Sequence, residues 1–505
     1  MHDTRKTNRL KSPYIWTFTT YFTEGFPYTI IRTISSLFLR DMNVRLESIG
    51  LTSLFGLPWI LKFLWGPQVD RFSTKRSWML YTQFLLSLMM MLAAFFAPFS
   101  WGITAIVILF FVGSIIAATH DIAIDGYYME ALDEDGQAKF VGYRVMAYRI
   151  AMMAGTGIIA TIGTTVDWST AFLSAGVIFG FFFLYHIFFL PKVENVAHSF
   201  KELFKSFLKP KIFTTASAIA IIVIGIRTLY VSEAYASLKA QYPVLKKVWF
   251  SHWVGALLFL SLLLVFLFRN KIKAIIMRDP DSFYAKAFAT FADREKIGVI
   301  LAFIIFLRTG EFMLTSMLSP FFVDLGIKVH YGWLSSFVGL PLSIIGAMLG
   351  GFCISKFSLK RVIWPFLLLQ NLTNIIYMIL AFHLSNFIEI NTGVEVAQPI
   401  GALNLFWVAF VHGFDQLSGG LGTAVLMTFL MRICLKEFKA AHYAIGTGLM
   451  SISGVFAGVL SGFLVSWFGY GFFFGISFCI SVPGMIVVFF IPHYVFSRST
   501  GTLQS

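Results

Sequence analysis

Charge is what this chain has least of. Asp, Glu, Lys and Arg together make up 13% of its 505 residues, against 57% hydrophobic, and mean hydropathy reaches +0.78. A water-soluble core has no use for so much apolar surface, which excludes soluble globular and disordered classes. Acids are scarcer than bases, 25 against 39, leaving a net charge of +14. In a soluble protein that excess would suggest nucleic acid; in a membrane protein it reads as cationic loops facing the cytoplasm, with no nucleic-acid partner. Only three cysteines occur, Cys353, Cys434 and Cys479, in or beside apolar runs and without metal-ligand spacing. They read as packing residues, and neither a metal nor another cofactor is expected. The Gly-x4-Gly-Lys-Ser/Thr loop is missing, so ATP is not the motor. The long apolar runs lack period-2 alternation, which leaves helices rather than a barrel to cross the bilayer.

What is there is a series of apolar windows about 20 residues long. They fall near 13–38, 47–68, 77–98, 101–128, 140–165, 168–190, 211–232 and 249–268, then 297–323, 331–355, 362–383, 401–431, 440–467 and 470–493. The expectation is an all-α integral membrane protein of about 14 spans, with both termini on one side. The polar start "MHDTRKTNRLKS" precedes a run too long for a signal peptide and has no small-residue cleavage site near it, so the first span is expected to stay as an anchor. Basic loops put that side in the cytoplasm, with "SLKAQYPVLKK" (237–247) the exception. "HSFKELFKSFLKPK" (198–211) has apolar residues at helical spacing with lysines between, as an amphipathic surface helix does, and 279–296 reads as a second linker of that kind.

The chain also repeats itself. "GLP" at 56–58 recurs at 339–341, an offset of 283 (339 − 56), and the same offset pairs Asp41 with Asp324, Ser36 with Ser319, Phe38 with Phe321 and Ser53 with Ser336. The polar elbow "GPQVDRFSTKR" (66–76) recurs as "GFCISKFSLKR" (351–361), and Asp121 meets Asp415 at 294. Two six-span halves, 1–192 and 297–505, with a linker at 193–296 carrying two extra spans, account for this. Duplicated halves with a site at their interface are a transporter architecture.

The first elbow resembles the Gly-x-x-x-Asp-Arg basic loop of the major facilitator superfamily, departing from it at Ser73, where Gly is usual, and in a basic pair one residue late. "ESIGLTSLFGLPWILKFLWGPQVDR" (47–71), "THDIAIDGY" (119–127), "GYR" (142–144) and "GGLGTAVLMTFLMRICLKEFKAAHYA" (419–444) resemble the AmpG-type muropeptide permeases. That resemblance implies the major facilitator fold, a bacterial inner-membrane location, a functional monomer, and a small-molecule solute carried with protons. Anhydro-muropeptides are the substrate class it points to, with siderophores and acyl-coenzyme A as the cargo of other relatives.

Ionisable groups inside a membrane mark function or a buried pair. Glu24 sits mid-span with no charged partner within one turn, and desolvation there would let it load a proton near neutral pH. Asp415, next to His412, is its counterpart candidate in the second half; Asp121 and Glu311 are the further coupling candidates. Arg308 and Glu311 are three apart on one face, and read equally as a structural ion pair or a substrate site. Asp125 is assigned with Asp70, Arg71, Arg76 and Arg144 to a cytoplasmic gate, Arg71 or Arg144 being its partner; the alternative makes Asp121 a gate residue too. Arg32, Lys62, Arg308, His412 and Tyr143 are the cavity candidates, although Lys62 reads as well as a snorkelling side chain. Gly454, Gly458 and Gly462 have small-xxx-small spacing for close helix packing, and fit a span that slides against the one carrying the elbow.

Two rivals remain. His120 and Asp125 form a His-x4-Asp spacing used by acyltransferases, but an enzyme would not need twin elbows. Drug exporters of the superfamily carry Gly-Pro in the fifth span; "AMMAGTGIIATIG" has none, which favours proton-driven import.

Overall fold

The computed structural model describes residues 12–62, 65–66, 69, 73–132, 134–193, 225, 228–242, 245, 248–268, 271, 274, 283–394, 396–435 and 439–496. Among them there is no strand. The helices that matter for the site are α1 (Pro13–Thr29), α2 (Ser35–Asp41), α3 (Leu46–Gly50), α4 (Lys75–Phe96), α5 (Gly102–Ala131), α6 (Glu134–Ala154) and α7 (Trp168–Phe189). From the second half come α8 (Thr309–Asp324), α9 (Leu340–Phe357), α10 (Leu359–His383), α11 (Ala402–Arg432) and α12 (Lys439–Val487).

Eight helical segments among the described residues are long and apolar enough to cross a membrane, and Leu46–Leu61 is a shorter apolar one. The protein is therefore a multi-pass membrane protein. Segment Ile445–Phe490 counts 46 residues, roughly 70 Å at 1.5 Å per residue and more than twice the hydrocarbon thickness. Gly469 breaks it, with φ 75° and ψ 168°, at the junction expected between 440–467 and 470–493. Helices Phe250–Leu267 and Phe283–Ala292 fall in the windows expected at 249–268 and 279–296. The amphipathic segment 198–211 and most of window 211–232 lie outside the described residues, as do Asp70 and Arg71.

Two compact units emerge. The first comprises Met1–Ile31, Leu61–Gly155 and Trp168–Phe266. Its core is knit by polar as well as apolar contacts: His186, wholly buried, bonds Gln83 at 3.0 Å and Thr19 at 2.9 Å, and His120 bonds Thr82 at 2.8 Å. These bonds tie α1, α4, α5 and α7 together, and each ring's partner is a neutral hydroxyl or amide.

The second unit comprises Arg32–Ile60, Thr156–Asp167 and Leu267–Ser505. It takes two short segments from the first half of the sequence and packs them on helices of the second. Glycine makes the closest of these approaches. A Cβ on Gly50 would stand 2.9 Å from the Val459 carbonyl, and one on Gly462 would run into the backbone of Leu46 and Gly50. The Gly458 and Gly462 spacing thus does pack α12 against the span that leads into the first elbow. Repeat partners also meet: Ser36 Oγ and Ser319 Oγ lie 2.8 Å apart.

Candidate functional site

In the first unit a cavity of about 430 Å3 is lined by Tyr21, Glu24 and Tyr28 of α1, Asp125 of α5, and Arg144, Val145, Tyr148, Arg149 and Met152 of α6. Gly25 lets these helices close up. A Cβ there would stand 2.7 Å from the Tyr148 carbonyl and 3.2 Å from Ala151, so any larger residue would push α1 away from α6. Glu24 is near enough to Asp121 and Asp125 of α5 to interact with both, and its Oε2 is buried without a hydrogen-bond partner among the described residues.

The other charges of this cluster are engaged. Lys62 Nζ stands 2.5 Å from Asp121 Oδ2. Tyr21 OH donates to Asp125 Oδ1 at 2.8 Å, and Arg144 Nη1 donates to the Tyr21 hydroxyl at 2.9 Å and reaches Asp125 Oδ1 at 3.4 Å. The Arg144 guanidinium also lies over the rings of Tyr21 and Tyr128, 5.3 and 5.2 Å from their centroids. Asp121 and Asp125, a turn apart on α5, are thus each matched to a separate cation. Of the sequence candidates, Glu24, Asp121, Asp125, Lys62 and Arg144 come together here. Tyr143 does not line the cavity: its ring packs against Tyr14, Phe18 and Phe140.

At the end of the first elbow, Arg76 donates to the carbonyls of Ile187 at 2.7 Å and Leu190 at 3.0 Å, closing the C-terminus of α7. Lys75 lies 3.5 Å from Glu130. Ser73 has a left-handed φ of 60°, and its repeat counterpart Ser358 has φ 73°. The position where the sequence lacks the usual glycine therefore keeps the backbone that glycine favours.

The second unit holds two further charge clusters. Arg308 Nε donates to Glu311 Oε2 at 2.6 Å and its Nη2 to Oε1, while Gln370 Nε2 donates to Oε2 as well. Asp415, buried in α11, accepts from Gln416 Nε2 at 3.2 Å. One turn before it, His412 is bonded to Tyr377 OH at 3.2 Å, with its Nε2 buried and unpartnered among the described residues. Arg32 lies in a π-helical turn, Ile30–Ile34, and donates to the Ser53 carbonyl at 2.9 Å; its guanidinium rests where Gly56 leaves room.

The other cluster was not assigned a role from sequence. Arg40 grips Asp324 with two bonds, Nε to Oδ1 at 2.6 Å and Nη2 to Oδ2 at 2.7 Å, and Tyr470 OH donates to the same Oδ2 at 2.7 Å. Lys328 Nζ meets Asp41 Oδ1 at 2.5 Å, and Ser466 Oγ donates to Glu47 Oε1 at 2.6 Å. The signal that pointed to it was the repeat itself, which aligns Asp41 with Asp324.

Residues 17–279, just over half of the chain, match the Major Facilitator Superfamily. The chain belongs to that superfamily. The anhydromuropeptide permease of Escherichia coli K12 is 22% identical over 92% of this chain and 77% of its own length. A putative transporter AmpG 1 of Rickettsia prowazekii is 21% identical over 94% of this chain and 96% of its own. The fold is that of a solved peptide transporter, POT, which superposes with a TM-score of 0.61 over 96% of each chain at 14% identity. A superfamily member of this kind is a membrane transporter and not an enzyme. His120 fits that conclusion, since its ring is wholly buried between Thr82 and Thr23, out of reach of any acyl acceptor.

Proposed function

We propose that this transporter is a proton-coupled importer of a bulky polar solute, with anhydro-muropeptides as the substrate class. The observation that carries the coupling is the meeting of Glu24, Asp121 and Asp125 beside a cavity walled by tyrosines. Of the three carboxyls, Asp121 and Asp125 are each in an ion pair, and among the described residues Glu24 is in none, although Lys62 acts on it at longer range. A carboxyl at that depth can take up and release a proton as the cavity changes exposure. The substrate class is supported by the similarity to the Escherichia coli permease across nine tenths of the chain.

Two six-helix repeats, 1–192 and 297–505, carry out alternating access, joined by 193–296 with two further spans, about 14 in all. Both termini face the cytoplasm of a bacterial inner membrane, and the monomer is the working unit. Asp70, Arg71, Arg76, Asp125 and Arg144 form the cytoplasmic gate; Arg40, Asp41, Asp324 and Lys328 form the outer one. Asp415 is the coupling group of the second half, with Glu311 in reserve, and Arg308 with His412 its polar surroundings.

The deciding experiment is uptake of labelled anhydro-muropeptide into vesicles with an imposed pH gradient, beside a siderophore and acetyl-coenzyme A. Accumulation of the muropeptide that collapses with a protonophore is expected. Uptake of one of the other two solutes alone would move the substrate assignment to it. Topology is tested separately: a cysteine replacing Ser73 should react with an impermeant thiol reagent only from the cytoplasmic side.

A further inference from the structure

We infer that Arg149 anchors an anionic group of the solute, a carboxylate or a phosphate carried beside a ring that stacks on tyrosine. This deepens the reading above and rests on Glu24 as the proton carrier. Arg149 lines the cavity in company with Tyr21, Tyr28 and Tyr148. It is the cation of this cluster with nothing to hold, since Lys62 is paired with Asp121 and Arg144 with Asp125, and Arg149 makes no ion pair or hydrogen bond among the described residues.

The charges around the cavity make the vacancy specific. Glu24, Asp121 and Asp125 stand against Lys62, Arg144 and Arg149, three acids and three bases from α1, α5, α6 and the Leu46–Leu61 segment with its following residue. The remaining titratable neighbours are the phenols of Tyr21, Tyr28, Tyr128 and Tyr148. With the three acids and three bases all ionised the cluster is balanced. A proton on Glu24 leaves one positive charge in excess, and Arg149 is the cation without a carboxylate partner to absorb it. An unmatched guanidinium at membrane depth is costly, and a solute anion relieves that cost. Loading one proton and one monoanion adds no net charge, so each favours the other. The planar fork of arginine suits either a carboxylate or a phosphate, and the partly exposed rings of Tyr28 and Tyr148 line the cavity beside it as faces for a sugar ring.

The test is arginine labelling of the full-length protein in nanodiscs with phenylglyoxal, followed at Arg149 by mass spectrometry. Arg45, whose side chain is 50% exposed in the other unit, serves as the internal reference. Three sugars are compared: N-acetylmuramate carries a carboxylate, N-acetylglucosamine 6-phosphate a phosphate, and N-acetylglucosamine neither. One or both anions should slow labelling of Arg149 several-fold while Arg45 is unaffected, and which one protects identifies the anionic group. Equal rates with all three sugars, or equal protection by the neutral one, would overturn the assignment. In uptake, Arg149→Gln should raise KM with little change in the maximal rate, and Arg149→Lys should recover part of the loss; a fall in maximal rate at unchanged KM would also count against it. Protection by an anion in a protein that takes up no muropeptide would retire the muropeptide reading and leave the Arg149 site standing.

Discussion

Glu24, partly buried with its Oε2 enclosed, and Asp415, buried, are carboxyls whose surroundings differ. Glu24 faces two acids whose cations are committed to them, whereas Asp415 sits one turn from a histidine with an unpartnered nitrogen and accepts from Gln416. Both lie in membrane-spanning helices, where an ionisable group marks function or a buried pair. Replacing either by its amide keeps the shape and fixes the neutral state. Glu24→Gln and Asp415→Asn are therefore each expected to abolish accumulation driven by a pH gradient while counterflow exchange between loaded sides survives at least in part. Measuring both modes on the same vesicles checks this; full accumulation by both variants would hand the coupling role to Glu311 or Asp121. The depth of Glu24 was legible in the sequence from the apolar run around it. Its neighbours were not, because Asp121 is 97 residues away (121 − 24) and periodicity carries no information about packing between helices.

At the level of elements, the two elbows are alike in backbone as well as in sequence. Ser358 ends α9 and begins α10 with φ 73° and ψ 152°, a region that essentially only glycine occupies without strain. Ser358→Gly should therefore stabilise the folded protein by about 1 kcal/mol, read as a raised thermal unfolding midpoint in detergent with transport unchanged. An unchanged or lowered midpoint would mean that the serine side chain compensates for its backbone. The same scale shows how much small residues contribute to packing. α12 lies against α3 because Gly462 meets the backbone of Leu46 and Gly50 directly, and Gly458 leaves room for the side chain of Ser53 just beyond it. The spacing of those glycines was plain in the sequence, and so was the span they were expected to face.

Across the whole molecule, the repeat predicts symmetry and the contacts partly break it. Applying the offset of 283 to the Asp41–Lys328 pair gives Asp324 with Arg45 (41 + 283 and 328 − 283). Asp324 is instead held by Arg40 and Tyr470, and Arg45 lies 3.5 Å from Glu47. If these bonds form the outer gate, Asp324→Asn removes a charge gripped by two arginine nitrogens and leaves Arg40 buried without its counter-ion. Cysteines placed near Ser36 should then become more reactive to an impermeant thiol reagent added from outside, and unchanged reactivity would withdraw the gate assignment. By itself the sequence determined the all-helical membrane class and the superfamily resemblance, because hydrocarbon demands long apolar helices, and it offered the fixed offsets on which a duplication is proposed. The tertiary structure alone decided which charges meet. Lys62 against Asp121, Arg40 against Asp324 and Arg149 left over all depend on how helices distant in the chain are rotated and how closely their glycines let them approach, and neither is written in the order of residues along one helix.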